Sequence, residues 1–138
     1  MAFRSKLAFS MGIFALGSLT ISQARASSTT TYTGTLTGDD QVQEFTWDLT
    51  KTSQVVISTD SYGGGTENGI TTPAGGFVPV ISIFNGSTGN LIASDGADAT
   101  CSGSMKSDPV TKMCNDSYLS LKLGSGDYIL AVSEFFNV

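Results

Sequence analysis

"DSYLSLKLGSGDYILAVSEF", residues 116–135, is the stretch on which the fold turns. Leu119, Leu121 and Leu123 alternate with Ser120 and Lys122. Beyond Gly124-Ser125-Gly126, Tyr128, Leu130 and Val132 alternate with Ile129, Ala131 and Ser133. A period of two places each set on one face of an extended strand. The same signal recurs upstream. "EFTWDL", 44–49, puts Phe45, Trp47 and Leu49 on one face and Thr46 and Asp48 on the other. "QVVIST", 54–59, is β-branched, and "NLIAS", 90–94, reads as a short strand. "FVPVISIF", 77–84, is a nearly continuous apolar run, suited to a strand buried on both faces, with Pro79 at its start or on an edge. A first strand is expected near residues 32–36. "DSYGGGTENGITTPAGG", 60–76, reads as a long loop. No stretch after residue 26 sustains a helical period. The expectation is an all-β domain over residues 27–138, a jelly-roll-like β-sandwich of antiparallel strands. Two facing sheets are favoured because about half of the strand faces are polar.

Residues 1–26 read differently. Arg4 and Lys6 precede the short apolar run "LAFSMGIFALGSL", and Ala24-Arg25-Ala26 supplies small residues for cleavage. That order is a secretory signal peptide, and the run is shorter than the roughly 20 residues of a membrane span. No transmembrane segment is expected after cleavage, and the mature chain is expected outside the cytoplasm, secreted or in the periplasm. Removing Arg4, Lys6 and Arg25 leaves four basic residues against twelve acids, a net charge of −8. Such a surface repels phosphate backbones, so nucleic acid is not an expected partner. Cys101 and Cys114 form an even pair, which in an exported chain closes a disulfide, within one chain or between two. A zinc site needs four ligands, and there is no histidine and no third cysteine.

The segments "GDD" (38–40), "TDSYGGG" (59–65), "PAGGF" (73–77) and "DSYLSLKLGSGDY" (116–128), in this order, resemble the pattern of a family of exported bacterial proteins of unknown function. From about residue 33 to 137 the chain resembles that family, many of whose members carry a C-terminal PEP-CTERM sorting signal. It is more distantly similar to the bacterial pre-peptidase C-terminal (PPC) domain, a calcium-associated β-sandwich beside secreted peptidases. The resemblance implies a PPC-like sandwich and a paired strand–turn–strand at 116–128. It also implies two further acids: the family has aspartate where this chain has Val78 and Asn85. Family members continue past the last strand, whereas "EFFNV" ends this sequence on Phe135, Phe136 and Val138. Either that tail is buried or a final strand is missing.

For chemistry, the absence of histidine removes the usual neutral base of Ser-His-Asp and Cys-His sites. No enzyme activity is expected, although a Ser-Lys dyad or a carboxylate pair at Asp39-Asp40 remains a formal alternative. Calcium takes six to eight oxygens from flexible loops. Its candidate ligands are Asp39, Asp40, Asn85, Asp95 and Asp98, with Asp60 and Glu67 able to approach from another loop. The competing reading of each acid is a solvated turn. Trp47 and Phe45 read as core. Tyr62 and Phe77 are aromatics in loops, available to a carbohydrate. The functional expectation is a secreted or envelope-associated non-catalytic module whose partners are exported proteins or extracellular polysaccharide. The alternative is a calcium-dependent accessory domain assisting a secreted hydrolase.

Overall fold

The computed structural model describes residues 28–38, 40–97, 100–103 and 105–135. The expected signal peptide, the terminal residues 136–138, Asp39 and Asp98 lie outside the described residues. The described chain is all-β, with eight strands and no helix.

The strands are β1 (Val42–Leu49), β2 (Ser53–Ser58), β3 (Gly65–Glu67), β4 (Ile70–Thr72), β5 (Pro79–Asn85), β6 (Leu91–Gly96), β7 (Tyr118–Leu123) and β8 (Gly126–Glu134). A four-stranded sheet runs β1-β8-β5-β6, and a two-stranded sheet pairs β2 with β7. Every pairing is antiparallel. β1 pairs with β8, and the strands just inside them, β2 and β7, pair with each other. This nesting of an outer pair over an inner pair is the jelly-roll arrangement. The paired strand–turn–strand expected at 116–128 is therefore corrected: β7 and β8 flank the turn but sit in different sheets.

Alternation explains the core. On β1, Phe45, Trp47 and Leu49 turn inward, and Trp47 lies across from Tyr128 with rings stacked at 5.5 Å. On β2, Val55 and Ile57 are buried opposite Leu121 and Leu119, while Val56 and Lys122 face out. Ile81 and Ile83 of β5 are fully buried between the sheets. The outer face of β5 is only half-buried, because no layer covers it. Pro79 opens β5, where its missing N–H interrupts no ladder.

Two expectations change. Residues 32–36 are not a strand. They run beside β1, with the Tyr32 ring 4.5 Å from that of Phe45. The segment 60–76 is not all loop. β3 and β4 form a hairpin whose turn, Asn68-Gly69, has positive φ at both residues (50° and 80°). Asn-Gly is the sequence that favours this geometry.

Candidate functional site

The sandwich is unequal, and the site follows from that. Two strands cannot cover four, so the inner face of the larger sheet is left open along β1 and β8. The opening is a groove of about 240 Å³ lined mainly by Phe45, Trp47, Ile57, Phe77, Ile81 and Leu130. Residues 31–36 form one wall, and β3–β4 supplies Glu67, Ile70 and Thr72. Among the described residues, the charged side chains lining it are Asp60 and Glu67.

One end of the groove rests on a buried polar knot. Asp116 is 1 % exposed. Its Oδ1 accepts from the Thr59 hydroxyl (3.0 Å), the Ser61 N–H (2.7 Å) and the Tyr62 N–H (3.1 Å), and its Oδ2 from the Gly63 N–H (2.7 Å). Successive backbone N–H groups wrapped round one carboxylate form an anion nest, filled here by the protein's own side chain. Gly63 is required for the approach: a Cβ there would overlap the Lys106 carbonyl. Ser117 continues the knot. Its hydroxyl donates to the Pro79 and Asp95 carbonyls (2.7 and 3.0 Å), and the Tyr118 N–H donates to Asp95 Oδ2 (2.7 Å). Ser117 and Tyr118 thereby tie β7 to β5 and β6 and close that flank of the sandwich, while Asp116 ties it to the segment after β2. The glycine segments join the same corner, where Gly75 N–H donates to the Tyr62 carbonyl and Gly76 N–H to that of Ser61.

Asp60 faces this cluster. Burial, then the negative charges of Asp116 and Glu67, hold its carboxyl above the ordinary value of 3.8, while Lys106 acts weakly against them. Toward the other end of the groove, the Trp47 indole N–H is buried without an acceptor among the described residues.

The candidate calcium ligands are dispersed where they are described. Asn85 caps its own hairpin, its Oδ1 accepting from the Ser87 and Thr88 N–H groups (3.0 and 2.9 Å). Asp95 lies opposite Ile81, four residues down β5 from Asn85, roughly 13 Å away at the rise of a strand. Asp40 is exposed in the turn before β1. Asp39 and Asp98 lie outside the described residues. No group of three or more metal-ligating side chains gathers among the described residues. Cys101 and Cys114 form a disulfide with a Cα–Cα distance of 5.0 Å, within the usual bridging range. Inside the loop it closes, Asp108 Oδ1 accepts from the Val110 and Thr111 N–H groups. Those hydrogen bonds hold its carboxyl below 3.8. Of the loop aromatics, Phe77 lines the groove, whereas the Tyr62 hydroxyl bonds Thr111 and fastens the glycine loop to the disulfide loop.

Asp116 is the residue that the sequence reading passed over. A signal was present: Asp-Ser-Tyr occurs twice, at 60–62 and 116–118, and the second carboxylate binds the backbone of the first tripeptide. Comparison with protein-family models, with curated proteins and with solved structures finds no match to this chain.

Proposed function

We propose that this chain is an exported, non-catalytic binding module of a cell envelope or extracellular matrix, with the groove between its sheets as the ligand site. The carrying observation is the groove itself, an apolar trough of about 240 Å³ with two carboxylates on its lining. Concave, largely apolar surfaces with a few polar groups are where proteins hold ligands. The disulfide supports an oxidising compartment. Non-catalysis is favoured by what the polar groups already do. The chain has no histidine, and the Ser117 hydroxyl and the Asp116 carboxylate are engaged in holding loops.

The chain's single tryptophan, Trp47, lines the groove and reports on it. Oligosaccharides from envelope polymers and extended peptides are titrated while its fluorescence is followed. A saturable change with one ligand class is expected, and it is lost in Ile70→Arg, which places a long side chain on the half-exposed groove wall. The proposal falls if no ligand of either class perturbs Trp47. Turnover of a bound ligand that disappears in Asp60→Asn would replace the binding module with an enzyme.

A further inference from the structure

The chain carries the dipeptide Asn-Gly twice, at 68–69 and 85–86, and the fold treats the two differently. Asn68-Gly69 is the turn of the β3–β4 hairpin, between Glu67 and its register partner Ile70. Both turn residues are exposed, and φ is positive at each, the mark of a type I′ turn. Turning over the peptide plane between them gives type II′, which keeps φ positive at Asn68 and only reverses its sign at Gly69. Glycine takes either sign readily. A Cβ built on Gly69 meets no atom within 4 Å, so the plane has room to turn. In the turned-over form the Gly69 nitrogen faces the Asn68 side-chain carbonyl carbon. The Asn68 amide donates an exposed hydrogen bond to Thr31 Oγ1 (2.6 Å).

At Asn85-Gly86 the same dipeptide is locked. The Gly86 N–H donates to the Asp127 carbonyl (2.8 Å), and a Cβ there would lie 3.0 Å from Asp127. Asn85 Oδ1 accepts from the Ser87 and Thr88 N–H groups, which fixes the side-chain carbonyl. Ring closure there requires all three bonds to break first.

We propose that Asn68 is a modification site: it deamidates without an enzyme while Asn85 stays intact, and the product remodels the hairpin wall of the groove. The Gly69 nitrogen, its proton given to solvent base, attacks Asn68 Cγ. A new C–N bond closes a five-membered succinimide, and the Cγ–Nδ2 bond breaks as Nδ2 takes a proton and leaves as ammonia. Water then adds to one of the two ring carbonyls and opens the ring to aspartate or isoaspartate. The net change consumes one water and releases one ammonia, with no oxidant or reductant. Either product puts a carboxylate beside Glu67, on the wall that also carries Ile70 and Thr72. Either removes the amide donor to Thr31, itself a lining residue. Isoaspartate also adds a carbon to the main chain within a two-residue turn, which displaces Glu67 relative to Ile70. The reaction at Asn68 stands whether or not the groove holds a ligand.

The oxidised chain is aged in mildly alkaline buffer, and peptide mapping by mass spectrometry reads conversion at each asparagine. Asn68 is expected to convert roughly tenfold or more faster than Asn85, because three hydrogen bonds oppose the second site. Isoaspartate and aspartate both appear at position 68. In the urea-unfolded chain the two sites converge in rate, because the fold no longer separates them. Asn68→Gln, which would have to close a six-membered ring, loses the fast phase; the mapping of the unmutated chain decides the matter if that variant fails to fold. Equal rates in the folded chain, a faster Asn85, the same preference in urea, a fast phase that survives Asn68→Gln, or aspartate without isoaspartate overturns the proposal. The aged fraction, separated by anion exchange, is expected to exchange its β3 and β4 amide hydrogens faster than fresh protein. Unchanged exchange overturns the remodelling of the wall.

Discussion

Replacing Asp116 measures how much of the fold hangs on one carboxylate. In Asp116→Ala the N–H groups of Ser61, Tyr62 and Gly63 lose their acceptor, and so does the Thr59 hydroxyl. A buried donor left unsatisfied costs about 1–3 kcal/mol. Gly63 is buried, so its N–H bears the full penalty, whereas Ser61 and Tyr62 are half-buried and recover part of theirs from water. The sum is about 3–5 kcal/mol. Relief of repulsion at Asp60 opposes it only weakly, since burial is the larger cause of that group's shift. Asp116→Asn keeps one oxygen for the three donors at Oδ1 but turns an NH₂ toward the Gly63 N–H, for a loss of about 1–3 kcal/mol. Urea unfolding of the oxidised proteins, followed by Trp47 fluorescence, gives both values. With total domain stabilities of about 5–15 kcal/mol, the alanine variant sits near the edge of folding. A loss below about 1 kcal/mol for Ala, or Asn costing more than Ala, would refute the nest as the anchor of this corner.

Other outcomes follow from the same corner and its surroundings. Asp60 has a raised carboxyl value, so the folded state holds its proton more tightly than the unfolded chain does. Its contribution is favourable below pH 3.8 and lost as pH rises through the folded value, and Asp60→Asn should therefore stabilise the protein at pH 7 and leave stability at pH 3 nearly unchanged. Asp108 has the opposite sign: its contribution is present above pH 3.8 and lost as pH falls through the lowered folded value, so Asp108→Ala should flatten the acid limb of a stability–pH curve. Reducing Cys101–Cys114, which spans 13 positions, should cost about 3 kcal/mol in urea unfolding, as expected from closure of a loop of that size. Gly63→Ala should cost more than Gly69→Ala in the same assay. The first drives a Cβ into the Lys106 carbonyl, while the second meets no atom and bears only the strain of a φ of +80°, about 1 kcal/mol.

What the sequence revealed, and what it hid, divides by range of interaction. Alternation is local, so Phe45-Trp47-Leu49, Leu119-Leu121-Leu123 and Tyr128-Leu130-Val132 declared both their strands and their inward faces. Asn85-Gly86 is a turn dipeptide placed directly after the apolar run 77–84, and the Asn85 side-chain oxygen caps the hairpin there. Asn68-Gly69 carried the same signal, but the three-residue strands beside it were too short and polar to show a period. The assignment of β1 and β2, or of β7 and β8, to opposite sheets left no local mark, because the bend between them is decided by partners far along the chain. The groove is a product of that assignment, so it too was invisible. Asp60 and Glu67 were recognised as acids able to converge, but the third member, Asp116, reaches them only through the pairing of β2 with β7.

Nested pairing also orders events in time. Val42 lies across from Ser133, and Ser53 from Leu123, so the first strands made wait for the last ones before either sheet can close. Long closures of this kind slow folding. A growing chain with this topology cannot pair β1 or β2 until β8 and β7 have been made, and its strand edges are open to proteases for as long as that lasts.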